Sequence, residues 1–248
     1  MHFTAHTSSN GVAERHFTLG EITGVLWSRA ADSGTIAPVV LMGHGGGQHK
    51  QAPGIVARAQ HFVTACGFTV VAIDAPGHGG RPRTPADDDL IAALRHARAA
   101  GEPVAPIIVE YNASLAARAV PEWQATLDAV QQLASIGVDA PVAYCGAALG
   151  TAIGVALTAA DPRISAAVFG LLGHRSLTEA AASITVPVEF LLQWNDEYVD
   201  RDSALALFDA FGSAEKTLHA NPGGHAQVPA FQLNATTEFL TRHLARTA

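Results

Sequence analysis

Cysteine and lysine are scarce in this chain of 248 residues, and each shortage closes off a class of answer. Two cysteines, Cys66 and Cys145, are too few for a disulfide framework or a cysteine-rich zinc site. Each lies in an apolar stretch, FVTACGFTVVAI and VAYCGAAL, so both are expected to be buried free thiols. Lysine occurs only as Lys50 and Lys216, no basic run forms, and the formal net charge is -7. The clustered cations that would neutralise nucleic acid or read an anionic membrane are therefore missing, and neither is an expected partner. Charged residues make up 15% of the chain against 48% hydrophobic, which excludes wholesale disorder.

Other absences narrow the field further. No segment supplies the roughly 18 uninterrupted apolar residues of a spanning helix. The amino terminus, MHFTAHTSSNGVAERHF, has neither the basic nor the apolar region of a secretion signal, so a cytoplasmic protein is expected. There is no H-E-x-x-H pair, no glycine loop ending in G-K-[ST] and no G-x-G-x-x-G, which leaves no metal, nucleotide or other cofactor to expect. Without a repeat or a low-complexity linker, residues 1–248 are expected to form one domain.

Short apolar runs alternate with helical patterns. APVVLMG, FTVVAID, PVAYCGA, ISAAVFGLLG and VPVEFLLQW are apolar on both faces, and helix-like stretches such as IVARAQHFVTACG, AIGVALTAAD and FQLNATTEFLTRHL separate or follow them. Doubly apolar strands with intervening helices predict an α/β fold, a mostly parallel sheet covered on both faces. HFTLGEITGVLWSR alternates instead and predicts a hairpin at the sheet edge. Residues 81–120 break the rhythm. They carry helical spacing ahead of a helix reading PEWQATLDAVQQLASIG, and are expected to form a short helical lid over the carboxyl ends of the strands, where open α/β sheets place their sites.

Three segments follow predicted strands and carry chemistry. Gly43-His44-Gly45-Gly46-Gly47 follows VVLM; successive glycines let backbone N–H groups approach a ligand, and such donors suit a developing oxyanion, although an ordinary βα turn reads the same way. Gly146-Ala147-Ala148-Leu149-Gly150 follows PVAY, with glycines two residues either side of Ala148, the steric requirement of a strained strand-turn-helix elbow. In the G-x-S-x-G elbow the central residue is a serine, and a methyl group cannot attack a carbonyl. Asp196, after VEFLLQW, and His225, in NPGGHAQVP, then place an acid and a histidine after successive strands, in the chain order nucleophile position, acid, histidine. Asp196 read alone would equally cap a helix starting near Asp200. Cys145 lies too early in its strand to reach the elbow tip, and Asp74 reads as a carboxylate ordering its own loop.

With these segments in place the chain resembles the α/β-hydrolase superfamily over nearly its whole length, in particular its small bacterial esterase-like or dienelactone-hydrolase-like members. The resemblance rests on VVLMGHGGG, VVAIDAPGHGGR, GAALGTAIG, QWNDEYV and the late GGH. It implies an acyl-enzyme hydrolase of a small carboxylic ester, with Ala148 at the nucleophile position, Asp196 as acid, His225 as base, and the N–H groups of Gly46 and Leu149 as oxyanion donors. Gly45, Tyr111, His174, Trp194 and Tyr198 are candidates for contacting the substrate. Ala148 admits two accounts. The favoured one is a serine deliberately replaced, since the rest of the machinery is retained; the other is a chain that lacks the nucleophile and uses His225 and Asp196 as a general base in a lyase or cyclase, or uses the pocket for binding alone.

Overall fold

The chain enters through strands that show one face to solvent. β1 (His2–Ser9), β2 (Val12–Leu19) and β3 (Ile22–Arg29) pair antiparallel in succession. The hairpin anticipated from HFTLGEITGVLWSR is the β2–β3 pair. β1 was not anticipated, because almost all of its residues are exposed and it carries no apolar alternation; its backbone pairing with β2, rather than burial, holds it. The computed structural model describes residues 1–30 and 36–244.

The doubly apolar runs follow as β4 (Val39–Gly43), β5 (Thr69–Ile73), β6 (Val142–Gly146), β7 (Ile164–Gly170) and β8 (Val188–Gln193), with β9 (Lys216–Asn221) at the far edge. All five residues of each of β4, β5 and β6 are buried, as a sheet covered on both faces demands. Among the described residues, these nine strands form one sheet of order β1-β2-β3-β5-β4-β6-β7-β8-β9, antiparallel up to the β3–β5 pair and parallel from β5 to β9.

Helices cover both faces. α1 (Pro53–His61) lies on one; α2 (Pro85–Ala100) and α3 (Ala105–Gln131) follow β5; α4 (Leu149–Ala160), α5 (Thr178–Ser183), α6 (Arg201–Ala210) and α7 (Gln232–Leu244) complete the set. Strand residues alternate between two cores. Leu41 and Tyr144 pack with Leu115 and Trp123 of α3, Ile153 of α4 and Leu207 of α6. Met42 and Cys145 pack with Ile55 of α1 and Leu240 of α7. The chain is thus α/β, with a mostly parallel sheet sandwiched between helices.

The segment after β5 differs from expectation in its boundary. Sequence spacing divides it at Pro121, yet α3 runs unbroken through that proline. Proline costs a helix one hydrogen bond, but Leu115, Ala119, Trp123, Leu127 and Val130 continue one buried stripe across it, and tertiary packing outweighs the local break. α2 is capped by a reciprocal Thr84–Asp87 box, and Asp87 is held in turn by Arg118 of α3 at 2.5 Å, so the two helices of this segment are joined by a buried carboxylate. Of the two cysteines, Cys145 is buried as expected, whereas Cys66, at the end of the helical turn after α1, is half-buried.

Candidate active site

The elbow between β6 and α4 is built on steric necessity. Ala148 adopts φ 53° and ψ -117°, a conformation that L residues rarely visit. A Cβ added to Gly146 would lie 2.7 Å from the Gly150 carbonyl oxygen, and one added to Gly150 would lie 3.0 Å from that of Gly43. The spacing of glycines read from the sequence is therefore what lets β4, β6 and α4 close on one another. The Ala148 N–H donates to the Gly170 carbonyl at 3.0 Å, tying the elbow to the end of β7. Two side chains not singled out from the sequence hold this turn. The buried Tyr144 hydroxyl donates to the Gly150 carbonyl at 2.7 Å, and Thr151 Oγ1 lies 2.7 Å from the Gly170 carbonyl while accepting the Gly170 N–H at 2.9 Å. Burial pushes the Tyr144 phenol well above its ordinary value and keeps it a donor.

The glycine turn after β4 is anchored from below. The buried His44 ring accepts the Ala75 N–H at Nε2, 3.0 Å away, so the proton sits on Nδ1, which donates to the Gly45 carbonyl at 2.9 Å. Burial lowers this imidazole to about 4, in keeping with a neutral ring used as a bracket. Asp74 is fully buried and takes four donors: Lys50 Nζ at 2.5 Å, the Lys50 N–H at 2.9 Å, Thr23 Oγ1 at 3.0 Å and the Gly80 N–H at 3.5 Å. Burial works to raise its pKa, but the bonds from Lys50 outweigh that and hold the carboxyl below the usual range. Asp74 thus orders its loop, as the sequence suggested, and Lys50 is its partner. Gly46 is exposed, and a Cβ on it would come within 4.0 Å of the Leu149 Cβ, which sets the glycine turn against the first residue of α4. At that position the Leu149 N–H has no acceptor within its own helix.

The acid and the histidine come from the loops after β8 and β9. His225 Nδ1 lies 2.7 Å from Asp196 Oδ2, and the Asp196 side chain is only 2% exposed. The other oxygen of Asp196 accepts the N–H groups of Tyr198 and Val199 at 2.9 and 3.0 Å. Asp196 therefore does not cap α6; Asp200 does, accepting the Ser203 N–H at 2.8 Å. The two loops are laced together: the Trp194 N–H donates to the Asn221 carbonyl, the Asn195 N–H to Gly223 and Gln193 Nε2 to Gly224. The His225 N–H adds a bond to Glu197 Oε2 at 2.9 Å. With its Nδ1 on the carboxylate, the ring can take up and return a proton at Nε2.

Among the residues expected to meet a substrate, Tyr198 is 71% exposed and sets its ring edge-on to His225, with centroids 5.4 Å apart. Gly45 lies in the glycine turn, its N–H donating to Gln48 Oε1 at 3.3 Å. Trp194 is exposed beneath the Arg201 guanidinium, His174 sits half-buried in the loop after β7, and Tyr111 lies on α3 with its hydroxyl buried and unbonded. Among the described residues, no hydrogen bond or ring contact joins Trp194, His174 or Tyr111 to Asp196 or His225. No group of three or more His, Cys, Asp or Glu among the described residues is arranged to hold a metal ion, and no described helix is long and apolar enough to cross a membrane.

No protein-family model matches the sequence. No curated protein matches it either. Solved structures do. A cold-adapted esterase from an Arctic intertidal metagenomic library, in complex with polyethylene glycol, is 34% identical over 99% of this chain and 100% of its own, with a TM-score of 0.80. An acetyl xylan esterase from Paenibacillus sp. R4 is 15% identical over 98% of this chain and 88% of its own, with a TM-score of 0.70. A predicted CIB-like hydrolase from Thermoplasma acidophilum is 15% identical over 96% of this chain and 100% of its own, with a TM-score of 0.60. At that identity the last two speak for the fold alone.

Proposed function

This chain belongs to the α/β-hydrolase superfamily, and on that premise we propose that its site is built to hydrolyse a small carboxylic ester through an acyl-enzyme, with Ala148 standing where the nucleophilic serine belongs. The observation that carries this reading is the backbone of Ala148. A non-glycine residue at φ 53° and ψ -117° costs about 1–3 kcal/mol, and an alanine side chain gains nothing from being presented there. The strain has a use when residue 148 bears a hydroxyl, because it lifts that group clear of the sheet end toward the imidazole.

In the complete machinery the hydroxyl at position 148 attacks the acyl carbon while His225 Nε2 takes its proton. Asp196 holds the Nδ1 tautomer and stabilises the imidazolium. The oxygen that becomes negative is received by the N–H groups of Gly46 and Leu149. His225 then returns the proton to the departing alkoxide, so the leaving group lies beside that ring, where Tyr198 is also found. Water, activated by the same imidazole, releases the acid. Gly45, Tyr111, His174 and Trp194 complete the proposed surroundings of the ester, with 81–120 as a lid. As written, the chain binds its ester and leaves it nearly intact, since loss of the serine in such a triad lowers kcat by about a million-fold.

A second reading is favoured by one fact: the Asp196–His225 pair is intact in a chain with no nucleophile. It assigns the pair to general-base chemistry, as in a lyase or cyclase. One set of assays decides between the two. Ala148→Ser is expected to hydrolyse p-nitrophenyl acetate and butyrate, with activity lost again when His225→Ala is added. Failure of the folded Ala148→Ser protein to cleave any small ester removes the hydrolase reading and leaves the base reading to be tested on the unaltered chain.

A further inference from the structure

Behind the elbow, on the face of the sheet covered by α1 and α7, lies a cavity of about 230 Å³ that the chemistry above does not use. Its floor is the carboxyl ends of β6 and β7 with Glu189 and Leu191 of β8, and its roof is the segment 228–230, which begins three residues beyond His225. Ala147, the residue before the elbow tip, contributes only a methyl group to its lining. By the share of liquid volume a water occupies, it has room for on the order of seven waters, or a small organic molecule of similar heavy-atom count.

Two charged side chains line it, and only one is accounted for by the fold. Glu189 is 1% exposed, and its carboxyl has its own donors in Thr236 Oγ1 at 2.5 Å and Gln232 Nε2 at 3.4 Å, with His219 Nε2 3.5 Å away. Burial pushes that carboxyl up, toward its neutral form. Arg58 is different. Its Nε donates to the Gly54 carbonyl at 3.2 Å, which fixes the guanidinium along α1, yet no carboxylate among the described residues pairs with it. The rest of the lining is largely hydrocarbon, including Val168, Leu191 and Leu233.

We propose that this cavity binds a small monocarboxylate, its carboxylate forked on the Arg58 guanidinium and its short chain against Val168, Leu191 and Leu233. Guanidinium and carboxylate match in a two-bond geometry, whereas an ammonium ligand bears the same charge as Arg58 and is repelled. A ligand there touches Ala147 on one side and the segment after His225 on the other, so its occupancy bears on both arms of the site. The inference does not depend on the ester-hydrolase reading and is tested on the unaltered chain.

The test is an amide NMR titration with sodium butyrate, alongside butylamine and sodium chloride at equal ionic strength. Saturable binding is expected with a Kd on the order of 1 mM, the range open to a ligand of this size. The shifts should centre on Arg58, Ala147 and residues 228–233 and should spare Gly46 and Leu149. Arg58→Gln is expected to weaken butyrate about tenfold or more, and Leu191→Phe, which fills the cavity with Arg58 intact, to abolish binding. Should one variant fail to fold, the other decides. Absence of saturation, equal binding of butylamine, unchanged affinity in either folded variant, or shifts centred on Gly46 and Leu149 each overturn the proposal.

Discussion

The two arms of the site are held in opposite ways. The elbow and glycine turn are locked from inside: Gly43, Gly146 and Gly150 touch backbone to backbone, His44 is a buried bracket between two loops, and the fully buried Asp74 draws Lys50 and Thr23 together beneath the turn. The acid and histidine sit on surface loops, where Glu197 and Tyr198 are exposed and the lacing between the segments after β8 and β9 consists of a few backbone and side-chain hydrogen bonds rather than packed side chains. The difference divides the labour. A locked arm fixes where a charge would develop, while an arm on loops can adjust the imidazole to a bound molecule. Changes in the first arm should therefore register in stability, and changes in the second in chemistry.

In the Ala148→Ser background, Asp196→Asn is expected to lower kcat by on the order of 10,000-fold while leaving the urea midpoint nearly unchanged, since it disturbs tautomer and charge rather than packing. A comparable loss of stability would show that the loop arm is as locked as the other. Next in size is Lys50→Met. It leaves the Asp74 carboxylate buried without its cation and is expected to destabilise the fold by about 3–5 kcal/mol, read by urea unfolding. A cost under about 1 kcal/mol would mean that Thr23 and the backbone N–H suffice.

His44 supplies a pH signature for the locked arm. Its native imidazole lies at about 4 against an ordinary value of 6.5, so below pH 6.5 the unfolded chain takes a proton that the native ring refuses. Stability should fall from pH 6.5 down to about 4, by about 3 kcal/mol in all. Asp74, with a depressed carboxyl, acts in the same direction at lower pH, its contribution being lost as pH falls through its native value. His44→Gln should flatten the decline between pH 6.5 and 4.5 in urea midpoints; an unchanged slope would assign it to other groups. The smallest effect expected is a gain. Ala148→Gly places at φ 53° the residue that tolerates it, and should stabilise the fold by about 1 kcal/mol. A loss instead would mean that the Ala148 methyl is packed rather than strained.

Much of this could be read from residue order. Strands with apolar residues on both faces and glycines after two of them pointed to the sheet and the elbow, because a doubly covered strand has few other ways to satisfy its side chains. Where reading failed, a long-range term decided. β1 has no apolar stripe to betray it, and Pro121 signals a break that the buried stripe of α3 overrides. Thr151 and Tyr144 look like ordinary helix and strand residues until the fold turns their hydroxyls onto carbonyls of the elbow. Lys50 stands out in the sequence only as one of two lysines, since its partner Asp74 lies 24 residues further along.

The α/β alternation, the glycine spacing that permits the elbow, the absence of a hydroxyl at its tip, and the order in which acid and histidine follow are all legible in residue order alone. These are local or periodic properties, written into neighbouring residues. It took folding to bring His225 Nδ1 to Asp196, which therefore does not cap α6, to make His44 a neutral bracket, and to leave Arg58 facing a cavity behind the elbow. Each depends on which residues far apart in the chain become neighbours, and that is set by how the two cores close rather than by any segment alone.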